Sequence, residues 1–335
     1  MGLRGVGFFY CDPHVVLAFL LLLFKRQPTM RTTLTLNQIV EQWIAGCDRL
    51  PATKCDYQRK IHLWFKWLSS QGIDPREPSR EHIVRFKQSL QREGKSPYTY
   101  FTYVAVIKIF YRFCAAMRYY DDIGKGLQSS IRQHEHSKHP LSVVEAQRLL
   151  NSIETKTIMG KRDKLIIALM LLNGLRSCEV SRINIEDVER KDDRVLLHIQ
   201  RKGHLDKSDV VALPAMTIEL FEEYIAERDF QMGDALIVNH CVGRPSTRLL
   251  NTTISQIVKM RLRIIGINDP KITAHSLRHT CGSLLVEMGT DIEIIKDLLG
   301  HTDTSTTRIY IDMAQKRRLL KENPSQHIEA LLSKK

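Results

Sequence analysis

From Leu36 to about Tyr120 apolar residues recur every three to four positions, as in Ile39, Val40, Trp43 and Ile44 and again in Ile61, Trp64, Phe65 and Leu68. Only an α-helix puts such a series on one face, so this part of the chain is helical. Breaks at Leu50-Pro51, Gly72 to Pro78 and Gly94 to Pro97 divide it into about four helices, with Thr53 and Ser79 as caps and Glu81 in a first turn. The last helix, roughly Tyr98 to Met117, carries Phe101, Val104, Ile107, Phe110, Tyr111 and Cys114 on one stripe, which reads as core.

Over 335 residues, 50 Lys plus Arg stand against 37 Asp plus Glu, a formal charge of +13. Such a balance favours a polyanion partner, and Lys95 and Lys108 around the last helix are the candidate nucleic-acid backbone contacts. With 43% hydrophobic and 26% charged residues the chain is an ordinary globular one, excluding collagen-like, disulfide-rich and disordered classes. Seven cysteines without a CxxC pair or zinc-ribbon spacing suit a reducing cytoplasm.

After Asp121 the pattern lapses into Gly124, Gly126, Ser129, Ser130 and a polar run containing His134, His136 and His139, which reads as a linker. These alternating histidines have no Cys or carboxylate framework, so no metal is assigned to them. A second domain opens with Ser142 and Glu145 as a capping box before a helix through Leu150, and another helix follows from about Arg162 to Asn173. Arg194 to Ile199 and Val210 to Leu213 flank a polar turn and read as a β-hairpin. Helices are then expected over 216–228, 251–265, 274–288, 291–299 and 304–318. The fold class is mainly α with a small β-hairpin or sheet.

The unusual polar residues lie in this second domain. Arg176 follows the Gly174 turn between two helices, and His275 and Arg278 leave one helix on one face at i, i+3. Gly300 ends a helix, His301 follows at once, and Tyr310 comes nine residues later. With a lysine in the hairpin turn, these make an anion-handling set. Guanidinium forks suit phosphate oxygens, His or Lys moves protons, and a tyrosine oxygen can act as nucleophile. His275 and His279 also stand at metal-ligand spacing, but the glutamate of HExxH is absent and Arg278 puts positive charge where a cation would sit.

In order and spacing these motifs resemble the tyrosine recombinase (phage integrase) family, including its Xer-like and mobile-element members. Gly174-Leu175-Arg176 with Glu179 is similar to the first arginine box, His275-Ser276-Leu277-Arg278-His279-Thr280 to the HxLRHT box, and Leu299-Gly300-His301 with Tyr310 to the last box and nucleophile. The resemblance runs from about Leu34 to Met313. It implies a helical, SAM-like core-binding domain over 34–123, a linker over 124–140, a mostly helical catalytic domain over 141–318 and a tail over 319–335.

The resemblance further implies that Tyr310 attacks a DNA phosphodiester to leave a 3′-phosphotyrosine. Arg176 and Arg278 would clamp the phosphate, His275 would hydrogen-bond it and assist proton transfer, and His301 would support it. Lys202 would protonate the leaving oxygen, with Lys207 in the same turn as its competitor. Double-stranded DNA with inverted-repeat core sites is the implied partner, bound by a monomer or dimer that becomes a homotetramer in the synapse. No cofactor and no metal are called for. The alternatives are a type IB topoisomerase-like nicking and closing enzyme and a non-catalytic DNA-binding protein.

The ends of the chain add two expectations. Val15 to Phe24 is an apolar run of ten followed by Lys25 and Arg26, where a membrane span needs ~20 such residues. Neither a span nor a secretory signal is expected, and residues 1–33 read as an extension with Met30 as the start of the native protein. Beyond Tyr310, the basic Lys316-Arg317-Arg318 precedes an amphipathic tail with Ile328, Leu331 and Leu332; in the resembled family such a tail can dock on a neighbouring subunit, and the alternative is a solvated terminal helix.

Overall fold

The computed structural model describes residues 32–127, 139–231, 233–241, 243, 246–301, 307, 310, 323 and 325–333. The expected start at Met30, the apolar run before it, His134 and His136, and the Lys316-Arg317-Arg318 run lie outside these residues. The chain forms two compact units, Met1–His134 and Glu135–Lys335. No helix among the described residues is long and apolar enough to cross a membrane.

The first unit consists of α1 (Leu36–Gly46), α2 (Pro51–Ser70), α3 (Arg80–Arg92) and α4 (Pro97–Ala116). Thr35 caps α1 reciprocally with Gln38, each backbone N–H reaching the other's side-chain oxygen. α2 starts at Pro51 without a side-chain cap, so Thr53 falls inside the first turn and does not cap it. Proline at the first helical position has φ preset and no N–H to satisfy, which moves the start ahead of Thr53. Ser79 does stand at the cap of α3, its N–H donating to His82 Nδ1 at 2.9 Å.

The helical stripes meet in one core in which Trp43, Trp64, Phe86 and Phe110 are buried, and Trp64 Nε1 donates to the Tyr111 hydroxyl at 3.2 Å. In the expected aromatic stripe of α4, Ile107, Phe110, Tyr111 and Cys114 are buried and Phe101 and Val104 half-buried. Lys108 Nζ donates to the Leu127 carbonyl at 2.7 Å and its stem fills the space a Cβ at Gly124 would need, so this lysine ties down the turn after α4. Lys95 is exposed.

The second unit opens with α5 (Val143–Asn151), where Ser142 and Glu145 form the expected box, Ser142 N–H to Glu145 Oε2 at 2.8 Å and Glu145 N–H to Ser142 Oγ at 3.2 Å. α6 (Ile158–Leu171) begins four residues ahead of expectation because Thr157 caps it through Gly160 N–H. Leu165 to Leu171 are all buried, and α6 is the central helix against which α8 (Ala215–Ile225) and α10 (Ala274–Glu287) pack. Between them run α7 (Ser177–Arg182) and a three-stranded antiparallel sheet, β1 (Val188–Lys191), β2 (Arg194–Ile199) and β3 (Asp209–Ala212). A 3-10 turn (Ile185–Asp187) precedes β1, and α9 (Asn251–Ile264), α11 (Ile292–Leu299) and α12 (Ser325–Leu332) complete the described elements.

β1 escapes a sequence reading because Val-Glu-Arg-Lys is a polar edge strand with no alternation, whereas β2 buries Val195, Leu197 and Ile199. Near α6 a buried ion triad joins two helices: Arg162 and Arg261 each reach one oxygen of Asp163, at 2.7 and 2.6 Å. Asp163→Ala leaves Arg162 buried without its counter-charge, so it is expected to cost roughly 3–5 kcal/mol. A fall of that size in the unfolding free energy, taken from the midpoint and slope of a urea melt, checks it.

Candidate active site

Gly174 begins the site. Its φ of +64° makes the turn out of α6, and a Cβ there would drive into Leu299 and crowd Cys281. Only glycine therefore lets this turn lie against α10 and α11. The turn places Arg176 at the N-cap of α7, where its N–H and Nη1 both bond Glu179, at 2.9 and 2.6 Å. Glu179 is fully buried; burial pushes its carboxyl up, but Arg176 and, more weakly, Arg278 outweigh that and hold it below the usual range. The Arg176 side chain keeps 21% exposure, enough for its fork to meet a ligand from solvent.

Arg278, one helical step from His275 on α10, is fully buried. Nη1 donates to the Gly174 carbonyl at 2.7 Å and Nη2 to the Leu299 carbonyl, so the guanidinium ties the Gly174 turn to the end of α11. Nε is buried and has no hydrogen-bond partner among the described residues. Burial first, and the Arg176 charge next, pull its pKa to about 10, which leaves it protonated at neutral pH.

α11 stops at Gly300, φ +57° and ψ +54°, the left-handed stop expected there. His301 Nδ1 lies 2.8 Å from the buried Thr307 hydroxyl, and its ring stacks on Tyr310 at 6.1 Å and 10°. Burial, then Arg278 and Arg176, push the His301 pKa down to about 3. The ring is neutral at pH 7. Because the folded value lies below the unfolded ~6.5, this group stabilises the fold above pH ~6.5 and withdraws that stability as pH falls toward 3. His301→Gln is expected to melt at a temperature less sensitive to pH across that window than the native chain, as calorimetry can measure.

Tyr310 is 2% exposed, and burial raises its pKa against the opposing pull of Arg278, by charge and hydrogen bond, and of Arg176. The His279 ring lies 5.4 Å away and the His275 ring 4.6 Å beyond that, edge to face. A Cβ at Gly282 would come within 2.8 Å of two Tyr310 ring carbons, so Gly282 makes room for this ring. Among the described residues no group of three or more His, Cys, Asp or Glu is placed to hold a metal ion.

Arg176, Arg278, His301 and Tyr310 thus surround one another, with exposed His275 reaching the group through His279. Lys202 is exposed in the β2–β3 turn and tied to the group by its backbone N–H, 3.3 Å from Glu179 Oε1. Lys207 Nζ is ion-paired with Asp187 on the other side of that turn. Lys95 and Lys108 belong to the first unit. Sequence reasoning missed Gly282, although a lone glycine inside a helix signals close packing. It also missed Arg201, which nothing in its local pattern distinguishes from a solvated residue.

The Phage integrase family profile matches residues 140–317, and that of the Phage integrase N-terminal SAM-like domain matches residues 42–117. Tyrosine recombinase XerD of Listeria innocua serovar 6a is 29% identical over 275 residues, covering 78% of this chain and 88% of its own. Tyrosine recombinase XerA of Pyrococcus horikoshii is 27% identical over 260 residues, covering 76% and 84%. The crystal structure of the XerH site-specific recombinase bound to difH substrate, a pre-cleavage complex, superposes with a TM-score of 0.59 at 25% identity, covering 75% of this chain and 72% of XerH.

Proposed function

The chain belongs to the phage integrase family; as a site-specific tyrosine recombinase it cuts and rejoins DNA strands, and we propose that it does so through a 3′-phosphotyrosine formed on Tyr310. The observation that carries this reading is a buried tyrosine that is hydrogen-bonded to Arg278, stacked on a neutral His301 and within the field of Arg176, groups drawn from three separate chain segments. The Tyr310 oxygen attacks phosphorus while the bond to the 5′-oxygen breaks. Negative charge gathers on the non-bridging oxygens, where preorganised cations stabilise it best. Arg176 and Arg278 supply them.

His275 hydrogen-bonds the phosphate and takes part in moving the phenolic proton. His301, with Nδ1 turned to the Thr307 hydroxyl, offers Nε2 to the same phosphate. Lys202 gives its proton to the departing 5′-oxygen; we choose it over Lys207 because the latter is held by Asp187. One phosphodiester is exchanged for another ester of similar energy, so rejoining by a 5′-hydroxyl needs no nucleotide. Lys95 adds a backbone contact from the first unit, and duplex affinity is expected to fall steeply with salt.

DNA is the partner, and we place two protomers on an inverted-repeat core site and four in the synapse, from a free monomer or dimer. In α12, Leu331 and Leu332 are 72% and 82% exposed, an apolar end suited to a neighbouring subunit. Deleting residues 325–335 is expected to impair synapsis and spare duplex binding, measured by native gel shift with one and two sites; unchanged recombination would remove this role.

The whole reading is tested by challenging the protein with a pool of nicked duplexes randomised across the core site and recovering covalent adducts. The expected product is a selected inverted repeat joined at its 3′ end to protein, and pairs of selected sites should exchange strands. Recovery of no adduct would leave a DNA-binding protein without chemistry. Relaxation of plasmids lacking the site, without strand exchange, would make it a nicking and closing enzyme.

A further inference from the structure

Arg201 has no part in the chemistry above, yet it is 3% exposed, and burying a guanidinium is costly unless its hydrogen bonds are met. Nε donates to Asp209 Oδ2 at 2.9 Å, closing the base of the β2–β3 turn. Nη2 donates to the Leu298 carbonyl at 2.9 Å, a group the end of α11 leaves open, and more loosely to the Asp297 carbonyl at 3.4 Å, which already accepts the Gly300 N–H, and it places positive charge at the negative end of the helix dipole. Nη1 is buried without a hydrogen-bond partner among the described residues, and its charge is met by Glu179 Oε2 at 3.7 Å, on the carboxylate that also holds Arg176.

Gly300 lies directly beneath this guanidinium. A Cβ there would come within 2.5 Å of Arg201 Nε and 2.8 Å of Cδ and Cζ. The glycine thus serves twice, as the left-handed stop of α11 and as the flat floor on which Arg201 rests. The two residues in this contact are each followed in the chain by a proposed site residue, Arg201 by Lys202 and Gly300 by His301. Lys202 N–H and Arg201 also share the Glu179 carboxylate. Further along the turn, His204 N–H returns to the Arg201 carbonyl at 3.1 Å, with Gly203 at φ +105° between.

We propose that Arg201 is a positioning residue: it clamps the β2–β3 turn to the end of α11 and to Glu179, and so sets where Lys202 stands relative to Arg176 and His301. The inference rests on Lys202 being the proton donor to the leaving 5′-oxygen. A displaced turn leaves the arginine clamp and Tyr310 intact but carries the ammonium off the leaving group. Displacements on the scale of 1 Å cost on the order of 10²-fold in rate.

The test replaces the leaving oxygen. Single-turnover cleavage of a nicked core-site duplex is measured with the ordinary phosphodiester and with a 5′-bridging phosphorothiolate, whose sulfur departs as a thiolate and needs no proton. Lys202→Ala is expected to lose about 10²- to 10⁴-fold on the oxygen substrate, the usual contribution of a general acid, and to recover on the sulfur substrate. Arg201→Ala should follow the same pattern with a loss of about 10²-fold. Arg201→Lys and Asp209→Asn, which disturb the contact less, should lose less on oxygen and recover equally on sulfur; they keep the test valid if the alanine variant does not fold. Rescue of Lys202→Ala without rescue of the folded Arg201 or Asp209 variants would overturn the positioning role. Failure to rescue Lys202→Ala itself would instead show that the acid lies elsewhere, and the proposal would fall with that premise.

Discussion

Tyr310→Phe is expected to abolish strand cleavage and every covalent protein–DNA adduct, a loss of about 10⁶-fold, the scale of deleting a nucleophile that works within a preorganised site. The substitution removes the hydroxyl and its hydrogen bond to Arg278 but keeps the packing that holds the ring. It stacks on His301, lies against His279 and fills the space that Gly282 leaves open, and phenylalanine keeps all three contacts. Duplex binding should therefore stay near that of the native chain, and stability should fall by no more than the roughly 1–3 kcal/mol of one lost buried hydrogen bond, while the adduct vanishes. A Tyr310→Phe variant that still formed about one per cent of the native adduct would remove Tyr310 from the chemistry.

Arg278→Ala is the second large expectation, and it acts on both rate and fold. A preorganised donor aimed at developing charge contributes on the order of 10²- to 10³-fold, and Arg278 is buried, protonated and beside the nucleophile. Its removal also strips the Gly174 and Leu299 carbonyls of their donors, at a cost of about 1–3 kcal/mol for each group left unsatisfied. Arg278→Lys separates the two effects. It keeps a positive charge but cannot bond two carbonyls and a phosphate together, so it should recover part of the lost stability and little of the cleavage rate. Single-turnover cleavage alongside a urea melt measures both, and cleavage by the alanine variant within tenfold of native would contradict the clamp.

The helices were legible because burial on one face imposes a 3.6-residue period whatever the tertiary arrangement, and the box at Ser142 and the stop at Gly300 are local devices read from local residues. Thr53 shows the limit of that logic: a good capping residue lost its place to Pro51, two positions earlier. β1 was hidden because an edge strand with one half-buried residue has no pattern to display. Most of the candidate site was visible through the order of its motifs.

What stayed hidden was the packing between motifs. Gly282 matters because of a ring twenty-eight positions away, and Arg201 because of carbonyls ninety-six and ninety-seven positions away. The choice between Lys202 and Lys207 likewise turned on Asp187, a residue on a neighbouring element that draws one ammonium aside.

During cleavage the Tyr310 oxygen is expected to become esterified to the 3′-phosphate of the cut strand. Trapping the native protein on a nicked core-site duplex, digesting both components and sequencing the nucleotide-bearing peptide by mass spectrometry tests it most directly. One modified peptide is expected, with a 3′-phosphonucleotide on Tyr310. A nucleotide on any other side chain, or attached through its 5′ end, would contradict it.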